Sequence, residues 1–305
     1  MTNARALEII ERYDRTMNAA ESRVIERMNK ALDDAYRRSE EEFLKAYKKH
    51  SGNLDLLPQQ RRLLIMDEIS QYFGLSNRAQ NRLREDFEEL IEGAFTDGQS
   101  LASDLAGAIA NESISQFASV PIDAVAAQAR DGVRRLSRHS EDFQNKASAI
   151  IELHLALGSG AQKTARELRR ELGITKGKAE QIARTESMSS LATASKKAYA
   201  DSGIELVQVT ATLDSRVCPF CASRNMKAYR ARDLIFPFHP SDRCVLMPFK
   251  LEWLESGLID VDFSKNFRKK TIAKLAESGQ KPNNGITPFE RAANKTKPPE
   301  SIWTP

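Results

Sequence analysis

Three cysteines in 305 residues are too few for a disulfide framework, and an odd number cannot pair completely. Long apolar runs are missing too: no stretch approaches the roughly 18 to 20 residues a membrane-spanning helix needs. The opening MTNARALEIIERYDRT is too charged for a secretory signal, so the chain is expected to stay in the cytoplasm of the cell that makes it, with no membrane partner. No glycine-rich phosphate loop occurs, and Ser, His and Asp fall into no recognisable nucleophile arrangement. The expectation is therefore a non-enzyme, with no catalytic and no organic-cofactor residues. What remains, 41% hydrophobic and 29% charged, is a folded protein long enough for more than one unit.

Proline and glycine are absent from the segment 1–50, where apolar residues recur at Ile10, Tyr13, Met17, Ala20, Val24, Met28, Leu32 and Tyr36. Spacings of three and four predict one long amphipathic helix that packs along its own bundle or another chain. The break SGNLDLLP (Ser51 to Pro58) ends it, and 51–136 reads as a helical body. Gly74, the FTDG stretch at Phe95 to Gly98, the Val120–Pro121 step and the GSG at 158–160 punctuate the chain beyond that break. Thr164 to Thr185, TARELRRELGITKGKAEQIART, has the look of a DNA-reading helix-turn-helix with Gly173 at the turn, though such corners also join helices in ordinary packing. Thr175 reads as the N-cap of the helix that carries Arg184 and Glu186. His139 and His154 read as surface or satisfied core histidines.

After Gly203, placed as a helix C-cap glycine, the stretch IELVQVTATL (Ile204 to Leu213) is rich in β-branched residues and reads as a strand. All three cysteines come after it, in RVCPFCASRNMKAYRARDLIFPFHPSDRC. Cys218 and Cys221 form a C-x2-C pair on a turn stiffened by Pro219, and His239 and Cys244 complete a C-x2-C-x17-H-x4-C set. Four such ligands with no spare position describe a structural zinc ion, with Asp242 the alternative fourth ligand if Cys244 points away. Two other readings compete: buried cysteines acting as small hydrophobes, and a C-x2-C redox pair, which would need a thioredoxin-like βαβ setting.

The run IARTESMSSLATASKKAYADSGIELVQVTATLDSRVCPFC, followed by FHPSDRC, resembles the minor head proteins of tailed phages, the head-morphogenesis family typified by the Mu F protein. The matching positions are Ile182 to Glu186, Tyr199, Ser202, Gly203, Asp214, Arg216, Cys218, Pro219, Cys221, His239, Pro240, Arg243 and Cys244. The resemblance covers roughly Ser137 to Pro248, and the domain it implies is 137–250, with the zinc-binding segment at 204–250. Many members carry a cysteine where this chain has Asp242, and an aromatic near Gln208. Arg184 and Glu186 are expected to brace the metal turn through Asp214 and Arg216. The resemblance implies a virion structural protein of the phage head, assembled in the host cytoplasm. Its expected partners are the portal protein, the major capsid protein or both, with this chain present in multiple copies and taking part in head assembly or in DNA packaging and ejection.

From Ser264 to Pro305 apolar residues thin out, and nine Lys/Arg stand against three acids, a balance of +6 where the whole chain is +4. The segment 251–305 is read as an extended basic C-terminal arm. It is expected to lie along a neighbouring subunit through Phe267, Phe289 and Trp303, and to offer its cations to acidic protein or double-stranded DNA. The fold class is thus mainly α: a long N-terminal helix and helical body, a small zinc-binding β-containing segment and the extended basic arm. Two rival functions stand beside the head-protein reading, a zinc-supported nuclease and a helix-turn-helix DNA-binding protein.

Overall fold

The computed structural model describes residues 2–49, 60, 64, 75, 77–112, 122–156, 161–214 and 216–305. The expected breaks at Ser51 to Pro58, Gly74, Val120–Pro121 and 158–160 lie outside them. Four long helices lead the chain: α1 (Thr2–Lys49), α2 (Asn77–Ala110), α3 (Ile122–Ala156) and α4 (Ala161–Asp201). A small β-segment comes next, with β1 (Leu206–Thr210), α5 (Pro219–Arg224), β2 (Ala228–Arg230) and β3 (Val245–Phe249). The chain then runs through α6 (Leu251–Glu255), α7 (Val261–Glu277) and α8 (Pro288–Ala292). The chain is mainly α, as its composition and periodicity predict.

Each long helix arises from a stripe at helical spacing. In α1 six of the eight expected positions, Ile10, Met17, Val24, Met28, Leu32 and Tyr36, are buried within this chain, and Tyr13 and Ala20 are partly buried. In α2 the buried face runs through Leu83, Phe87, Leu90, Ala94, Leu101, Leu105 and Ile109. Gly98 sits on this face in mid-helix, where a turn was expected. A Cβ there would lie 2.3 Å from Leu191 O and 2.8 Å from Ala194 Cβ, so the glycine is what lets α2 and α4 approach. The approach is fastened by Ser195 Oγ, which donates to Gly98 O at 2.8 Å.

A second correction concerns the helix-turn-helix. Residues 161–201 form one uninterrupted helix, and Thr175 is interior to it, its hydroxyl donating to Glu171 O at 3.1 Å. Leu168, Leu172, Thr175, Ala179 and Ile182 stay buried in step across Gly173, and a continuous buried face outweighs the roughly 1 kcal/mol a glycine costs in a helix. No turn exists there for a recognition helix to follow.

The chain forms two compact units. One comprises 1–20, 90–126 and 184–305, and the other 21–89 and 127–183. In the second, His154 is buried with Nδ1 3.1 Å from Thr164 Oγ1, a satisfied core histidine, and His139 lies 3.9 Å from Asp142 at the surface. In the first, the sheet has the order β2-β1-β3 and is antiparallel throughout, with Val207 facing Tyr229 on one side and Pro248 on the other. Proline is tolerated in β3 because that strand is outermost. Val207, Val209, Tyr199, Ala222, Phe238 and Phe249 join Leu101 and Leu105 in its core.

The extended arm is also corrected. The stretch 261–277 is helix α7, capped by Asp260, and its buried face of Ser264, Phe267, Thr271 and Leu275 docks in its own unit. The remaining tail turns back as well. Asn283 N–H donates to Pro219 O, and Trp303 bridges Ala228 on the outer side of β2 while its ring lies 5.2 Å from that of Phe249. The tail's anchor is therefore the chain's own sheet, where a neighbouring subunit was expected.

Candidate metal centre

The route to the site starts at the end of α4. Gly203 takes φ +72°, Ile204 N–H donates to Tyr199 O at 2.8 Å and Gly203 N–H to Ala200 O at 3.0 Å. This Schellman cap turns the chain directly into β1. Beyond β1, Cys218 is the N-cap of α5, and its Sγ accepts from Cys221 N–H at 3.3 Å, with Pro219 at the first helical position. C-x2-C is therefore a helix start whose first turn faces both sulfurs to one side. The loop between β2 and β3 brings His239, Asp242 and Cys244 to the same point. Ser241 N–H in that loop donates to Thr185 Oγ1 at 3.1 Å, and Tyr199 donates its hydroxyl to Leu246 O at 3.0 Å, so α4 holds both the loop and the strand after it.

Cys218 Sγ and Cys221 Sγ each lie 3.1 Å from His239 Nε2, and Cys221 Sγ lies 3.5 Å from Asp242 Oδ1. The ligand atoms of Cys221, Asp242 and Cys244 form a second cluster, all within 4.8 Å of one another, which shares Cys221 with the first. Cys221, Asp242 and Cys244 are buried, while Cys218 and His239 reach partly to solvent. A tetrahedral ion with Zn–S near 2.3 Å and Zn–N near 2.0 Å needs its donors about 3.5 to 3.8 Å apart. The two sulfur-to-Nε2 distances fall about 0.4 Å short of that, and the two triads share Cys221, so the Cys/His group could hold a metal ion.

The protonation pattern fits the same conclusion. His239 Nδ1 lies 2.8 Å from Pro240 O, and since a carbonyl only accepts, Nδ1 carries the hydrogen and Nε2 faces the thiols. Burial disfavours a charged His239, but the hydrogen bond to Cys218 and the charge of Asp242 override it, raising the imidazole to about 9. The hydrogen bond with Cys221, joined by that of His239, lowers Cys218 to about 5 against the opposing effect of burial. Cys221 is pushed well up by its hydrogen bonds with Cys218 and Cys244 and by burial. At Cys244 a hydrogen bond with Cys221 pulls downward, but burial and Asp242 prevail and raise it to about 12. Thiols packed this closely resist ionising together, and a divalent cation would relieve that repulsion.

Asp242 has a different task. Its Oδ2 accepts from Phe238 N–H at 2.8 Å and its Oδ1 from Cys244 N–H at 2.9 Å, so the carboxylate ties the loop into a closed turn. Asp242 and Cys244 both stand beside Cys221, in the same triad. Asp214 pairs with Arg216, and Arg243 donates to Asn18 Oδ1 at 2.8 Å, so the two opposite charges beside the cysteine turn satisfy each other.

Sequence reasoning missed the residues that hold the cysteine turn from behind. Asn225 accepts from Ala211 N–H at 2.9 Å and donates to Thr271 Oγ1 at 2.7 Å. Arg268 donates to Ser223 O at 3.1 Å and Asn225 O at 2.6 Å. Arg224 and Glu290 form an ion pair at 3.2 Å with side chains 4% and 2% exposed. The one available signal was the Thr287–Pro288–Phe289–Glu290 capping box, which marks a helix start inside a supposedly extended arm.

Searches of curated proteins and of solved structures return no match. Residues 147–247, which contain the cysteine turn, His239 and Cys244, match the family described as Phage Mu protein F like protein, and over that segment the chain is similar to Mu F-like proteins.

Proposed function

We propose that the chain is a structural, non-enzymatic protein of a phage head, in which a zinc ion held by Cys218, Cys221, His239 and Cys244 knots the β-segment. One observation supports this reading: the family match spans Cys218, Cys221, His239 and Cys244, so the donors proposed here all lie in the segment shared with Mu F-like proteins. A phage head family implies a virion location, and no described helix is long and apolar enough to cross a membrane. The zinc would serve folding, since four protein donors leave no position for a reacting water.

Within the head, the domain 137–250 is the shared assembly element, the portal protein, the major capsid protein or both are its partners, and the chain itself is present in several copies. Lys265, Lys269 and Lys270 lie on the exposed side of α7 and offer cations to packaged double-stranded DNA or to acidic protein. Co-expression with portal and capsid proteins tests this directly. The full chain is expected to sediment with assembled heads, and a Cys221→Ser chain to be left behind. Cleavage of plasmid DNA by the purified chain with divalent cations, lost on Asp242→Asn, would establish the nuclease instead.

A further inference from the structure

Behind the cysteine turn, α5, the start of β2 and the returning tail border a half-open cavity of about 150 Å³ lined by Ser223, Arg224, Lys227, Tyr229, Pro299 and Ser301 among others. It is distinct from the metal donors, none of which lines it. Lys227 and Tyr229 are two apart along an extended stretch, so their side chains leave the same face, and both reach this space.

The charges here do not balance. Arg224 is neutralised by Glu290. Arg268, close enough to perturb both Lys227 and Tyr229, is satisfied only by the carbonyls of Ser223 and Asn225, which accept hydrogen bonds but carry no charge. Lys227 is half-buried and has no acidic partner among the described residues. Burial, and then repulsion from Arg268 and Arg224, hold its ammonium below its usual range. The hydroxyl of Tyr229, on a side chain only 3% exposed, likewise has no hydrogen-bond partner among the described residues. Burial raises that phenol to about 12, so it remains a donor at neutral pH. The Lys227 ammonium and the Tyr229 hydroxyl thus face one cavity with no protein acceptor between them among the described residues, and the nearby Arg268 adds to the positive charge on that side.

We infer that this cavity is an oxyanion site that takes a phosphate group, bound by the Lys227 ammonium and the Tyr229 hydroxyl. A multiply charged tetrahedral anion offers several acceptor oxygens, enough for both donors, and offsets the excess positive charge. The volume admits several waters or one such anion. The same chemistry comes from free inorganic phosphate or from a phosphodiester of a nucleic acid strand, and the two are separable by experiment. Because Ser223 and Arg224 belong to α5 while Pro299 and Ser301 belong to the tail, an anion here would also draw the tail onto the cysteine turn.

The test uses the full metal-loaded chain, with inorganic phosphate as the probe and chloride at equal ionic strength as the control. Phosphate at about ten times its dissociation constant is expected to raise the melting temperature by about 2 °C or more, with chloride giving no comparable rise. Lys227→Gln should remove the shift without lowering the melting temperature in phosphate-free buffer, because it deletes a charge that nothing neutralises. Tyr229→Phe removes a hydroxyl that bonds to nothing in the structure, so the fold is untouched while phosphate binds several-fold more weakly. Competition by a short single-stranded DNA against phosphate assigns the site to a phosphodiester; phosphate binding without such competition assigns it to the free ion. Equal shifts in phosphate and chloride, or wild-type phosphate affinity in both variants, would overturn the assignment.

Discussion

The helical unit and the segment from β1 to the C-terminus are stabilised by opposite strategies. In the helical unit, buried apolar stripes run along the helices, and many ion pairs are local and exposed, such as Arg37–Asp34, Arg134–Asp131 and Arg170–Glu167 at i,i+3. From β1 onward the strands are only five, three and five residues long, too short to bury a large core unaided. That segment instead uses buried polar bonds between residues far apart in sequence. Ser223 donates to Asn283 O at 2.7 Å, Arg224 to Gly285 O at 3.0 Å and Arg268 to Asn225 O at 2.6 Å. Stripes tolerate single losses. A buried polar network does not, because each broken bond leaves a desolvated group behind.

The largest effect expected from this contrast is that of the metal. Structural zinc sites contribute on the order of 10 kcal/mol of binding free energy at neutral pH. Chelation, or Cys221→Ser, should therefore unfold the β-segment and free the tail while most helical circular dichroism remains, with hydrogen exchange locating the loss to about 204–305. Uniform loss of exchange protection over α1 to α4 would break the comparison. The pH dependence has a definite sign. In the metal-free chain His239 keeps its proton to about 9 and Cys221 and Cys244 keep theirs above the usual thiol range, so zinc displaces protons from all three at neutral pH, and affinity should rise with pH through 9 towards about 12. Affinity should fall further as pH drops through about 5, where the Cys218 thiolate protonates. Isothermal titration in buffers of different ionisation enthalpy would count the protons released.

Next comes the buried pair. Glu290 Oε2 accepts from Arg224 at 3.2 Å and from Thr287 N–H at 2.7 Å, so one carboxylate serves both the ion pair and the cap of α8. Arg224→Met strands that carboxylate in a site almost closed to water, a loss of about 3 to 5 kcal/mol by denaturant titration. Removing both partners, Arg224→Met with Glu290→Gln, should cost less than the single change, since no unpaired charge remains. A double variant as unstable as the sum of its parts would show that the pair is not acting as a unit.

Two glycines sharpen the comparison at a smaller scale. Gly98→Ala places a methyl against the Leu191 carbonyl, and parting two packed helices costs about 1 to 3 kcal/mol, more than the helix propensity it gains. Gly173→Ala meets nothing within 4 Å and should stabilise by about 0.5 to 1 kcal/mol. Destabilisation at Gly173 would revive a turn there.

These glycines also show where the sequence was legible. Period and capping made α1, the Gly203 stop and β1 readable, because each depends on neighbours within a few residues. Gly98 and Gly173 look alike locally. Only the buried stripe continuing on either side, with Leu168, Leu172 and Thr175 followed by Ala179 and Ile182, distinguishes an interior glycine from a helix end. The tail misled for a related reason. Its low apolar content describes an arm that cannot fold alone, but the Trp303 contact with Ala228 and Phe249 and the Glu290 pair with Arg224 join residues more than 50 apart. Long-range polar pairing leaves no periodic trace. Asp242 was visible as a candidate ligand, yet its role in closing the loop emerged only once Phe238 N–H and Cys244 N–H were placed around it.

The smallest effect is expected where the chemistry matches the buried pair but the setting does not. Arg37 and Asp34 are an arginine and a carboxylate in direct contact, as Arg224 and Glu290 are, yet their side chains are 66% and 45% exposed. Water solvates both ions before and after the contact is lost, and the Coulomb attraction is screened, so Arg37→Ala should change stability by no more than about 0.5 kcal/mol. Whatever effect exists should shrink further in about 1 M salt, where the screening length falls to about 3 Å. The Arg224→Met loss should persist in the same salt, because mobile ions do not enter a site 4% and 2% exposed. Denaturant titrations of both variants at low and high salt give four numbers, and the comparison predicts that only the Arg224→Met values stay large. If Arg37→Ala proves as damaging as Arg224→Met, or if salt erases the Arg224→Met loss, then burial is not what separates the two regions, and the contrast between stripe and network must be replaced.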